Sequence, residues 1–183
     1  MKIVTRNDSE NLIPMDPGSH WYAIYTKSRC EKKLVQRLTE KGIEAYIPLH
    51  KTIRQWSDRK KIVIEPLINS YVFVNVTAVN YFKALNTKGA SHYVWFAGKP
   101  AAIPSRQIEL LKVITGSEME VECLEPNIPA GTTVKVSSGP LTGLTGKLIN
   151  HGGKNKVVVQ IDHIDNVMLL TISPSLLVPV SLN

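Results

Sequence analysis

Cysteine is scarce in this chain: two residues among 183, Cys30 and Cys123, far apart and in unlike surroundings. That scarcity excludes a disulfide-stapled scaffold and a paired-cysteine metal site, and the expected compartment is the cytoplasm. Long apolar runs are also missing. No stretch of about eighteen apolar residues occurs, so no membrane-spanning helix and no membrane partner is expected. The opening residues, MKIVTRNDSENLIPMDPGSH, contain no continuous apolar segment. They read as a flexible tail over 1–20 rather than a secretory leader. The signatures of catalysis are absent as well. His20, His50, His92, His151 and His163 show no metal-ligand spacing, and neither a nucleophile elbow nor a phosphate loop appears. No enzyme activity, cofactor or metal is expected. His163 between Asp162 and Asp165 reads as a turn, and Gly152-Gly153 as a hairpin turn before a strand.

What the chain does have is unevenly placed positive charge. Its net charge is +7, and the segment from Lys27 to Lys61, with eleven Lys/Arg against four Asp/Glu, carries all of it. Such a concentrated field attracts polyanions, nucleic acid first among them, although a solvated helix face plus a basic loop would also produce it.

The first hundred residues alternate strand and helix signals. Trp21–Thr26 is aromatic and β-branched and predicts a strand. Ser28 and Glu31 have capping-box spacing, and the helix they predict stops at Gly42. Its apolar stripe is Cys30, Leu34, Val35 and Leu38; the other side bears Arg29, Lys32, Lys33, Arg37 and Lys41. Glu44–Ile53 reads as a strand interrupted at Pro48. Arg54–Lys61 reads as the tip of a long hairpin, on which Trp56 either stacks on a base or clamps the hairpin against an aliphatic stem. Ile62–Ile64 and Pro66–Val76 return, and Tyr71–Val76, apolar on both faces, predicts a central covered strand. A short helix over 77–86 is expected to turn Val79, Phe82 and Leu85 inward. Lys88-Gly89 turns the chain into a strand over 92–96. Ser105 caps a last helix with Ile108, Leu111 and Ile114 inward. The order predicts an α+β domain with helices on an antiparallel sheet.

The stretch 119–130, with Glu120, Glu122, Glu125 and two prolines but no basic residue, reads as a linker, or in part as an extended edge strand. Beyond it, Val134 and Val136 alternate with polar residues, and Gly139, Gly143 and Gly146 crowd into eight positions. Strands are expected at 156–162, 167–172 and 176–180, which suggests a small all-β barrel of SH3-like size. The expected organisation is therefore tail 1–20, α+β domain 21–118, linker 119–130 and barrel 131–183.

Four stretches, in order, resemble the NusG family of transcription elongation factors: WYAIYTKSRCEKKLVQRL, PLINSYVFV, KGASHYVWFAGKPAAIP and VKVSSGPLTGLTGKL. Residues 54–74 look most similar to its specialised UpxY-type antiterminators of polysaccharide operons, with RfaH more distant. The family usually carries Phe-Pro-Gly or Phe-Pro-Asn before the central tyrosine; here Ile68-Asn69-Ser70 precede Tyr71, so Ile68 replaces the aromatic. The resemblance implies an N-terminal α+β domain and a C-terminal KOW domain. It implies a groove for the clamp helices of the largest RNA polymerase subunit, built from Tyr22, Tyr25, Ile68, Tyr71 and Phe73. It also implies contact with the non-template DNA strand through Lys27, Arg29, Lys33, Arg37 and Lys88, with His92 beside them. The barrel would recruit a small-subunit ribosomal protein or a termination factor. In some relatives it refolds into helices; the β-prone Val157–Ile161 and Val167–Ile172 predict strands here. A general elongation factor and a ribosome- or RNA-binding protein are the alternatives.

Overall fold

The computed structural model describes residues 18–56, 58–117, 120–124, 131–164 and 167–180. Nearly all of the expected tail, and linker residues 119 and 125–130, lie outside them. Strands β1 (His20–Thr26), β2 (Glu44–Tyr46), β3 (Leu49–Gln55), β4 (Lys60–Pro66) and β5 (Tyr71–Val76) come first, with helix α1 (Glu31–Glu40) after β1. Helix α2 (Ala78–Leu85) is followed by β6 (Ala90–Tyr93), β7 (Trp95–Phe96), β8 (Lys99–Pro100), β9 (Ala102–Ile103) and helix α3 (Ser105–Gly116). Strands β10 (Val121–Leu124), β11 (Thr132–Val136), β12 (Thr145–His151), β13 (Lys154–Gln160), β14 (Val167–Leu170) and β15 (Leu177–Pro179) complete the chain. Spatial contacts divide it into two units. One holds residues 18–47 and 69–105, the other residues 48–68 and 106–180.

The first unit is an antiparallel sheet in the order β2-β5-β1-β6, with β9 also paired to β1. The apolar run Tyr71–Val76 forms an interior strand, as its two-sided hydrophobicity predicts. Side chains alternate across the sheet. Tyr22, Ile24, Val72 and Val74 point to one face, where Leu34 and Leu38 of α1 and Tyr81 and Ala84 of α2 complete the core. Trp21, Ala23 and Phe73 are buried on the opposite face.

Two details of the helices differ from expectation. The Ser28–Glu31 capping box does not form. Arg29 takes a left-handed φ of 60°, so α1 begins at Glu31 with Cys30 as its N-cap and no side-chain cap. Glu31 is then the first helical residue, not the third. In α2, Val79 points outward at 88% exposure, and Tyr81 and Ala84 are the buried positions, because Tyr81 stacks on Tyr93. The expected strand over 92–96 is divided, as β7 leaves the main sheet to form a small hairpin with β8. The end of α1 agrees with the sequence: Gly42 sits at φ 73°.

In the second unit, β3 and β4 form the expected long hairpin, in register from Leu49↔Pro66 to Gln55↔Lys60. Trp56 at its tip is 54% exposed, with the Lys61 ammonium 6.0 Å from its ring centroid. Ile108, Leu111 and Ile114 are the buried stripe of α3. The remaining strands form one six-stranded antiparallel sheet, β10-β14-β13-β12-β11-β15. At Val121–Leu124 the linker segment is therefore an edge strand, the second of the two readings. Ion pairs fasten it: Glu120 to Lys154 at 3.1 Å and Glu122 to the buried Lys156 at 2.5 Å. The segments 157–160 and 167–170 are strands, as their composition predicts.

Candidate nucleic-acid and protein interface

Tyr22, Tyr25, Ile68, Tyr71 and Phe73 do not form one surface. Tyr22 is 3% exposed and lies edge-on to Tyr81 at 6.0 Å and to Tyr93 at 5.8 Å. Tyr81 and Tyr93 stack at 4.1 Å, and the Tyr93 hydroxyl donates to the Tyr81 carbonyl at 2.9 Å. Burial pushes the phenols of Tyr81 and Tyr93 well above the ordinary tyrosine range, with the neighbouring tyrosines adding to it. Tyr22 therefore belongs to a closed aromatic core on the helix side of the sheet. The strand period explains why: Tyr22 and Tyr25 are three residues apart, which puts them on opposite faces. Phe73 and Ile68 are fully buried, and Ile68 falls in the second unit.

Tyr25 and Tyr71 do come together. They are direct cross-strand partners of β1 and β5, with ring centroids 5.3 Å apart and edge to face. On the other side of Tyr25, its partner in β6 is His92, whose imidazole stacks on the phenol at 5.3 Å and 20°. Three rings from three strands thus make a row, Tyr71–Tyr25–His92. Tyr25 at its centre is 38% exposed.

The cationic residues gather at the same end of β1. Lys27 and Arg29 follow it directly, both exposed. The Lys27 amide donates to the Gly89 carbonyl at 3.3 Å, joining this loop to the turn before β6. Gly89, at φ 108°, brings that turn against α1, where an added Cβ would lie 3.6 Å from the Cys30 Cβ and the Arg37 guanidinium. Arg37 Nη1 donates to the Lys88 carbonyl at 2.8 Å. Arg37 thus has a structural duty that its place on a basic helix face did not reveal. Lys33, one turn earlier on the same face, is exposed, as is Lys88. Lys41 Nζ donates to Thr87 at 2.8 Å, and Lys83 Nζ to the Lys41 carbonyl at 2.9 Å. Lys83 extends the basic surface beyond the residues the sequence singled out; it lies some fifty positions from Lys33, and only the fold joins them.

A carboxylate lies under this surface. Glu31 is 5% exposed, and its Oε1 accepts the Ser70 amide at 2.9 Å. The Thr26 amide donates to the Ser70 carbonyl at 2.8 Å. The turn before Tyr71 is thereby tied to the loop after Tyr25.

Residues 19–112 match the family described as "Transcription termination factor nusG". Among solved structures, that of domain interaction in Thermotoga maritima NusG is 23% identical, covering 87% of this chain and 96% of that one, with a TM-score of 0.52. The MjSpt4:Spt5 complex in conformation B gives 18% identity over 88% of this chain and 97% of that one, with a TM-score of 0.31. Aromatic and basic side chains thus meet at one end of an antiparallel α+β sheet, an arrangement suited to binding. The chain belongs to the NusG family, whose members are non-enzymatic transcription factors that work with RNA polymerase.

Proposed function

We propose that this chain is an operon-specific antitermination factor of the UpxY type. It binds the clamp helices of the largest RNA polymerase subunit and the non-template DNA strand, and it suppresses pausing and termination. The observation that carries this reading is the continuity of the Tyr71–Tyr25–His92 row with Lys27 and Arg29. Tyr25, exposed at the centre of a half-buried row of rings, is the kind of anchor on which a docked helix depends, and the exposed Lys27 and Arg29 border it. The adjoining Lys27, Arg29, Lys33 and Lys88 supply phosphate contacts that hold an unpaired strand without reading its sequence. Gripping polymerase and DNA at once favours the closed, elongating conformation over the opened, paused one through differential affinity. In this reading Phe73, buried on the same face of the sheet as Tyr25 and Tyr71, packs beneath the ridge, and Arg37 acts as a strut beneath Lys88.

Residues 131–183 are proposed as the KOW domain, which recruits a second protein. The choice between a small-subunit ribosomal protein and a termination factor is made by capture of each purified candidate on the immobilised chain. The function itself is tested by in vitro transcription with purified RNA polymerase on leader sequences of polysaccharide operons. Pause lifetimes shortened on some leaders and unchanged on others support the operon-specific reading. Equal shortening on all templates indicates a general factor, and no effect on any contradicts the proposal.

A further inference from the structure

Ser70 holds a left-handed φ of 65° immediately before Tyr71. A residue with a Cβ pays about 1 kcal/mol or more for that conformation unless its surroundings impose it. The NusG-like pattern has glycine or asparagine at this place, and both enter the left-handed region more readily than serine. Serine here therefore needs outside support, and two hydrogen bonds supply it. The Glu31 carboxylate accepts the Ser70 N–H, and the Ser70 carbonyl accepts the Thr26 N–H. The first is to a carboxylate whose side chain is buried, conditions that strengthen a hydrogen bond.

We propose that Glu31 is a positioning residue: it holds Ser70 in its left-handed turn and so aims Tyr71 edge-on at Tyr25 in the polymerase-binding ridge. The inference rests on the binding role proposed above for that ridge. The geometry explains why a carboxylate is buried at the start of α1 without capping the helix. Its acceptor is committed to the turn before β5, thirty-nine residues away in sequence. Arg29, also left-handed at φ 60°, turns the chain just before α1 begins. Between them, Ser70 and Arg29 bring the start of β5 and the start of α1 to one point. A Tyr71 displaced by an ångström or two would lose its ring contact with Tyr25 and open the row of three rings.

The test compares the full chain with Glu31→Gln, Glu31→Ala, Ser70→Gly and the double variant Glu31→Ala/Ser70→Gly. Circular dichroism checks each fold, and two readouts are taken. One is the chemical shift and hydrogen-exchange rate of the Ser70 amide together with the ring shifts of Tyr71. The other is affinity for an RNA polymerase elongation complex. Glu31→Gln keeps an acceptor and is expected to bind within about threefold of the parent. Glu31→Ala is expected to expose the Ser70 amide to exchange, shift the Tyr71 ring and weaken binding about tenfold, since a fixed anchor becomes a mobile one. Ser70→Gly placed on Glu31→Ala is expected to restore both the ring shifts and the affinity, because glycine holds the turn without help. A merely structural role for Glu31 would give a stability loss that glycine at 70 does not repair.

Two results would overturn the proposal: Ser70 and Tyr71 resonances in Glu31→Ala that match the parent, or a loss that the double variant leaves in place. Tyr25→Ala, measured alongside, separates this from failure of the ridge itself. If Tyr25→Ala binds as the parent does, the ridge reading falls, while the resonance shifts still decide whether Glu31 positions Tyr71.

Discussion

Five tyrosines of this fold divide into two clusters with opposite duties. Tyr22, Tyr81 and Tyr93 are sealed between the sheet and α2, and their hydroxyls and faces serve the core. Tyr25 and Tyr71 lie toward solvent with His92. Only side-chain direction separates the groups, since Tyr22 and Tyr25 share one strand. Substitution should therefore affect different observables. Tyr93→Phe removes the hydroxyl that meets the Tyr81 carbonyl at 2.9 Å. It should cost about 1 kcal/mol in urea unfolding, the usual net value of such a bond, and leave polymerase affinity unchanged. A variant of unaltered stability, or one with impaired binding, would contradict the division.

At the scale of elements, the six-stranded sheet of the second unit depends on glycine at two close approaches, Gly131 against the Leu148 carbonyl of β12 and Gly146 within β12. A Cβ on Gly146 in β12 would stand 2.5 Å from the Val158 carbonyl oxygen of β13 and 2.6 Å from a Val157 methyl. Gly146→Ala should destabilise this unit by about 2 kcal/mol, a typical overpacking cost. Gly116→Ala, with nothing within 4 Å of the new methyl, is the control and should not destabilise. Chemical denaturation monitored within residues 131–180 reads the difference, and equal stability of the two variants would refute the argument. Strand β10 has its own dependence, on pH. The hydrogen bond and charge of Lys154 hold the Glu120 carboxyl below the usual carboxylate range, and Thr171 and Lys156 add to this. A lowered folded pKa means that the interaction contributes fully above the ordinary carboxylate pKa and fades as pH falls through the lowered value. The protection of the β10 amides, measured against the intrinsic exchange rate at each pH, should therefore fall on acidification across that window. Glu120→Gln should remove that part of the dependence, and an unchanged profile in the variant would count against the ion pair.

These elements also mark how far the sequence could be read. The long hairpin, the interior strand Tyr71–Val76, the stop at Gly42 and the buried face of α3 were legible, because hydrophobic period and turn residues decide them locally. The capping box fails because Arg29 turns left-handed and the Glu31 carboxylate accepts from Ser70, a partner thirty-nine residues away. On α2, Phe82 and Leu85 pack against the core as their spacing predicts, but Val79 does not, because stacking on Tyr93 draws Tyr81 inward instead. In the candidate site the residue types were legible and their grouping was not. Strand pairing puts His92 on Tyr25, and α1 packing turns Arg37 toward Lys88.

For the molecule as a whole, the account joins a short-range contact to a long-range one. Charge reversal of Lys27 and Lys33 together leaves the Arg37–Lys88 strut intact. It should weaken binding to an elongation complex at low salt and flatten the dependence on ionic strength, by at least about 1.4 units of log–log slope if both lysines meet phosphates of an unpaired strand. A slope equal to that of the parent would remove these lysines from the DNA path. Loss of the aromatic ridge should do the reverse, lowering affinity at every salt concentration and leaving the slope alone. The most direct test of the central claim is therefore the equilibrium affinity of the full-length Tyr25→Ala chain for an RNA polymerase elongation complex. The account predicts a folded protein that binds about tenfold more weakly, the loss expected for truncating a central tyrosine anchor. A folded Tyr25→Ala chain that binds as tightly as the parent would contradict it.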